Sequence, residues 1–222
     1  MGDIELLTNA LHSCFPSPPK QTENGWGKPV LNVLDGVLSL NRNYDKIVLP
    51  RLRYFAHKHP GISTLADLHT AISSHPSPAD FLTAELRYND PQRASILQEV
   101  ITYLLDIQHD FDGSTENERL RAWAEWAHPG DFAFAGGVPG FALAGFQYLR
   151  VLFGANTTKP DSSICRFVSD SIGRKVGPAE ALLLLERAAK RANLCIRDIS
   201  SAIGNLGAKR MKAVAVMRAG GN

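Results

Sequence analysis

Apolar residues recur at three- and four-residue spacing along most of the chain, the period of an α-helix with one buried face. Ile4, Leu6, Leu7 and Leu11 predict a helix over Asp3–Ser13. A Pro/Gly-rich connector follows, Phe15–Pro29, with Trp26 inside it. Val30–Leu40 is apolar with few breaks, and Asn43–His57 carries Ile47, Val48, Leu52 and Phe55 on one stripe before Pro60-Gly61 stops it. Thr64–Ile72 and Pro78–Leu86 read as short helices separated by the polar Ser73–Ser77. Pro91 suits a first helical turn, and Arg93–Ile107 repeats apolar residues through Leu104. Thr115 and Glu118 form a capping box for Asn117–Ala127, where Trp123 and Trp126, three apart, are expected on one packed face. Leu143–Phe153 is apolar on nearly every side and so central. Pro178 opens Ala179–Ala192, and Ile196–Gly204 ends at glycine. No run alternates in the two-residue rhythm of a strand, Val214–Met217 being too short, and Arg218–Asn222 is expected to fray. The fold class is all-α.

Composition narrows the function classes. The 222 residues are 44% apolar and 21% charged, ordinary values for a folded chain. A net charge of +2 leaves nucleic-acid binding to local placement of charge, not to bulk attraction. Cys14, Cys165 and Cys195 are far apart, which excludes a zinc ribbon or a four-cysteine iron–sulfur cluster and points to reduced thiols. His57, His59, His109 and His128 lack a metal-ligand spacing, so no metal or cofactor is expected. No stretch approaches the roughly 18 apolar residues of a membrane span. The first 30 residues lack the pattern of a secretory leader.

The informative stretch runs from Phe132 to Val168. Val138-Pro139-Gly140-Phe141-Ala142 is a tight glycine turn between two apolar helical segments. Such a turn either just joins its helices or offers bare backbone amides, at the positive end of the second helix, to a phosphate oxygen. Asp161 follows Pro160, 21 positions after Gly140, and starts a helix that continues to Ile172. Alone it reads as a helix cap; paired with the turn it also reads as a carboxylate beside a bound strand.

The order of these pieces resembles the helix-hairpin-helix DNA glycosylases, the superfamily of endonuclease III and the adenine-mismatch and alkylpurine enzymes. Their Leu-Pro-Gly-Val-Gly hairpin is matched by Val138 to Ala142, and their Val-Asp-x-x-x-x-Arg segment by Asp161 to Arg166. Their Leu-Leu-Ser-x-Gln/Asn stretch is matched by Val37-Leu38-Ser39-Leu40-Asn41, with Asn41 at the position that wedges into the duplex. The similarity covers roughly residues 30–200. It implies one two-lobed bundle over 1–222: lobe 1 about 30–135, lobe 2 about 1–29 plus 155–222, and the hairpin 132–153 between them. It also implies a monomer that removes a damaged, mismatched or modified base in base excision repair, in the cytoplasm, on the nucleoid or in a nucleus.

The resemblance assigns roles. Asp161 is the catalytic carboxylate. Val138, Gly140, Ala142, Asn41, Arg42, Lys159 and Arg166 are the DNA-contacting set, with Arg150 and the basic tail Lys209, Arg210 and Lys212 as further charge. Tyr44, Gln147, Tyr148 and Trp126 are the base-pocket candidates, with Trp123 and Phe132 behind them. Relatives that also cut the strand carry a lysine where Ala144 stands, so no Schiff base forms there and the implied enzyme is monofunctional. Ala142 replaces the second hairpin glycine and Ser163 replaces a frequent histidine. Those departures keep open a relative that binds DNA or senses lesions without cleaving. Cys165 reads as a small filler, not a nucleophile.

Overall fold

Prolines and polar caps set most helix starts. The computed structural model describes residues 2–17, 25–132 and 140–204. Its helices are α1 (Asp3–Cys14), α2 (Pro29–Leu38), α3 (Leu49–Lys58), α4 (Leu65–Ser73), α5 (Pro78–Leu86), α6 (Pro91–Ile107), α7 (Glu116–Trp126), α8 (Leu143–Leu152), α9 (Ser162–Ile172), α10 (Pro178–Arg191) and α11 (196–204). No strand occurs among the described residues, so the chain is all-α. Proline stands in the first turn of α2, α5, α6 and α10, where its missing N–H costs nothing. Thr64 with Asp67, and Thr115 with Glu118, close complete capping boxes. Arg87, Gly173 and Asn193 adopt left-handed backbone just past the ends of α5, α9 and α10.

The chain divides into two compact units, 24–155 and a second made of 1–23 with 156–222. In the first, every residue of α2 is buried. It packs on α8, α6 and α3. Gly36 lets α8 come close, because a Cβ there would lie 3.0 Å from Leu149 Cδ1. Trp123 fills the α7–α8 contact with edge-on rings from Tyr103, Phe146 and Phe153 at 6.0–6.1 Å, and its indole N–H donates to the Tyr103 hydroxyl at 3.2 Å. In the second unit α1, α9 and α10 pack together around Leu7, Leu11, Ile164, Val168, Leu185 and Ala188, with Ile196, Ile199 and Ile203 of α11 closing the core.

Two expectations are corrected. Asn43–His57 is not one regular helix: Tyr44–Val48 forms a wider π turn that runs into α3. Pro50 has no N–H to return to the carbonyl four residues back, so the ladder reorganises, with Leu49 N–H reaching Tyr44 O. Trp126 does not share the packed face of Trp123. It is 57% exposed, because α7 ends there and its ring extends past the core, where among the described residues it meets Phe111 edge-on and His128.

On the flank of this unit Glu85 holds α3 to α5. Lys58 Nζ and His59 Nε2 approach one carboxylate oxygen at 2.6 Å, and His75 Nε2 the other at 3.3 Å. Lys58 above all draws the Glu85 carboxyl down to about 2, against the cost of its partial burial. A depressed carboxyl stabilises the fold fully above its unfolded value, roughly 4.3, and loses that contribution as pH falls through the folded value. Glu85→Gln therefore lowers the urea midpoint at pH 7, and the gap to wild type closes between pH of about 4.5 and 2.

Candidate functional site

Asp161 is the N-cap of α9. Its Oδ1 accepts the backbone N–H groups of Ser163 at 2.9 Å and Ile164 at 3.1 Å. Pro160 before it and an extended backbone (ψ −177°) aim the carboxylate back over the helix start. Oδ2 takes no hydrogen bond among the described residues, and the side chain is exposed. One oxygen thus anchors the group and the other faces solvent with charge to offer. Cys165 is half-buried with its thiol on the Pro160 carbonyl at 3.7 Å; burial first, then Asp161, pushes that thiol up and keeps it protonated. Lys159 is half-buried and Arg166 exposed, both on the same unit as Asp161.

In the other unit the described part of the glycine turn begins at Gly140, whose φ of +88° suits glycine. A Cβ there would meet Gln92 Nε2 at 2.8 Å, so the turn lies on the first turn of α6. Ala142 is the exposed N-cap of α8 and supplies no side-chain oxygen to the amides that follow it. Gly145 lets Leu40 pack onto α8, since a Cβ would stand 2.8 Å from Leu40 Cδ2. The loop after α2 therefore sits against the start of α8, and it carries Asn41 and Arg42. Asn41 is exposed with φ +53°. Arg42 is held by the Tyr88 hydroxyl at 3.0 Å and Asp90 at 3.2 Å, and buried Arg93 donates to the Leu40 carbonyl. Val138, the Phe132 side chain and the basic tail at 209–212 lie outside the described residues.

The pocket candidates separate. Gln147 is fully buried, and its carbonyl oxygen accepts from Arg150 Nη1 at 2.7 Å while Arg150 Nε donates to the Ala124 carbonyl at 3.0 Å. Those two tie α8 to α7. Tyr44 and Tyr148 instead converge on Asp35, which sequence reasoning missed. Asp35 is 1% exposed in the middle of α2. Trp26 Nε1 and the Tyr44 hydroxyl donate to its Oδ2 at 2.9 and 3.1 Å; the Ser39 and Tyr148 hydroxyls donate to Oδ1 at 2.7 and 3.2 Å. Burial first, then Asp35, pushes both tyrosine hydroxyls well above the usual phenol range, so they stay protonated donors. A lone acid in an apolar run, with Asn32 one turn before it, was the available signal: Asn32 Oδ1 accepts the Trp26 backbone N–H at 2.7 Å and completes the cluster.

A model of a domain family of unknown function, DUF8548, matches residues 139–206, less than a third of the chain, a segment that includes Gly140 and Asp161. No curated protein and no solved structure matches the chain. Among the described residues no helix is long and apolar enough to cross a membrane.

Two stability outcomes follow from this geometry. Asp161→Ala removes the α9 cap and costs about 1 kcal/mol of unfolding free energy, whereas Asp161→Asn, an equally good cap, costs almost nothing. Asp35→Ala leaves four donors without their acceptor and costs about 3 kcal/mol. Chemical denaturation of the three variants checks both.

Proposed function

We propose that the chain is a monofunctional DNA glycosylase of the helix-hairpin-helix kind, acting as a monomer on duplex DNA that holds a damaged, mismatched or modified base. The observation that carries this reading is the state of Asp161: a carboxylate anchored through one oxygen at a helix start, with the other exposed. Breaking an N-glycosidic bond builds positive charge on the sugar. A fixed carboxylate near that ring lowers the barrier and orients the attacking water.

The other parts fit the same chemistry. Bare amides at the start of α8 suit a phosphate oxygen without a lysine or arginine, in keeping with the small net charge. Asn41, exposed on a short loop against α8, suits the gap left by an everted nucleotide, whose unstacking costs a few kcal/mol. Lys159 and Arg166 add positive charge to the unit that carries Asp161. With Ala144 at the hairpin helix there is no amine for a Schiff base, so the strand stays intact.

The test is a panel of duplex oligonucleotides bearing alkylated, oxidised, deaminated and mismatched bases. Wild-type protein releases a base from at least one, and strand breaks appear only after alkali. Asp161→Asn, which preserves the cap, lowers release by about 100-fold or more without a change in melting temperature. Full release by that variant overturns the role of Asp161. Tight, salt-dependent duplex binding with no release from any lesion replaces the enzyme with a lesion-sensing DNA binder.

A further inference from the structure

Among the described residues Trp126 is the most exposed large apolar side chain. Phe111 precedes α7 and His128 follows it, and both rings meet the indole, at 5.5 and 6.4 Å between centres. The chain on either side of α7 thus returns to the last residue of that helix. The same stretch is strongly acidic. Residues 106–131 carry seven carboxylates against two arginines, in a chain whose net charge is +2. Asp110 and Asp112 flank Phe111 in the chain; both are exposed, with no hydrogen bond or ion pair among the described residues. Asp131 Oδ2 accepts the His128 N–H at 2.6 Å, which brings a third carboxylate next to His128. The two arginines are engaged elsewhere: Arg121 on Glu125 at 3.2 Å, Arg119 on Gln108 and the Gly113 carbonyl. Tyr54, a half-buried ring of the same unit, is covered by the chain's own cations, Arg87 at 4.3 Å and Lys58 at 5.9 Å. Among the described residues no such cation stands over Trp126, although indole attracts a cation more strongly than phenol does.

We infer that Trp126 and Phe111, with the carboxylates of Asp110, Asp112 and Asp131, form a docking surface for an arginine-bearing basic segment of a partner protein. A planar guanidinium stacks its face on an indole and turns its N–H edge to a carboxylate; the compact ammonium of lysine has no flat face to stack. A wholly apolar partner would strip water from these acids without replacing it, and an anionic one would be repelled. An exposed tryptophan meeting an arginine is also the pairing that anchors many protein interfaces. This surface has a role whether or not the chain excises bases.

The probe is octa-arginine, followed by titration calorimetry and tryptophan emission at low salt. Wild-type protein binds it with a change in emission that Trp126→Phe abolishes, Trp26 and Trp123 being left in place. Trp126→Ala weakens binding about fivefold, the worth of one exposed cation–ring contact. Asp110→Asn combined with Asp112→Asn also weakens binding, and it flattens the loss of affinity with added salt. Octa-lysine, equal in charge, binds more weakly and is indifferent to Trp126→Ala. Glu99→Gln, at an exposed carboxylate outside the stretch, leaves octa-arginine binding unchanged. All of these side chains are exposed, so each variant keeps the wild-type melting temperature. Unchanged octa-arginine affinity in Trp126→Ala overturns the inference and leaves only a charged face. An equal loss in Glu99→Gln overturns it too, as do Trp126-dependent binding of octa-lysine at the same affinity and the absence of octa-arginine binding at low salt. Base release in the lesion panel is read separately, so the glycosylase reading stands or falls independently of this surface.

Discussion

The Asp35 carboxylate governs how the central unit is put together. One acid in an otherwise apolar helix draws in the connector through Trp26, the π turn through Tyr44 and α8 through Tyr148. Apolar packing alone is non-directional and would let α8 slide along α2. Two hydroxyls and an indole N–H aimed at fixed lone pairs select one register. The Leu40–Asn43 loop then lies against the start of α8 because both of its flanks are tied to the same group.

This arrangement explains the division of labour among the polar side chains of the two units. Polar side chains inside the central unit are spent on holding helices: Arg93 on the Leu40 carbonyl, Arg150 on Gln147 and the end of α7. Polar groups exposed to a partner lie on the surface, Asn41 and Arg42 on the loop after α2, and Asp161 and Arg166 at the N-cap and along α9. Burial decides which role a polar residue has, since a buried donor must be satisfied internally and an exposed one need not be.

Helix positions were readable because their causes are local. Thr115 with Glu118, Pro91, Pro178 and Asp161 each act within one turn, and each starts a helix where its chemistry demands. The interruption at Tyr44–Val48 is not legible in the sequence, because an apolar stripe persists through a π turn and masks the change in hydrogen bonding. Trp126 was misplaced because spacing tells which face a residue shares but not how far the neighbouring helix extends. Asp35 was overlooked for a similar reason: its partners come from positions 26, 44 and 148, and no local pattern joins them. Gln147 and Tyr148 are adjacent in sequence yet serve different neighbours, Gln147 holding the Arg150 that reaches α7 and Tyr148 bonding Asp35 of α2.

The second unit is built from both ends of the chain, with α1 packed on α10 across more than 160 residues. The unit 24–155 is one uninterrupted segment and can close its core once residue 155 has left the ribosome, while α1 has no partner until α9 and then α10 emerge. During synthesis Leu7 and Leu11 therefore wait exposed. Asp3, on the first turn of the same helix, likewise waits for Arg174, which it meets at 2.6 Å only once the chain beyond α9 is made.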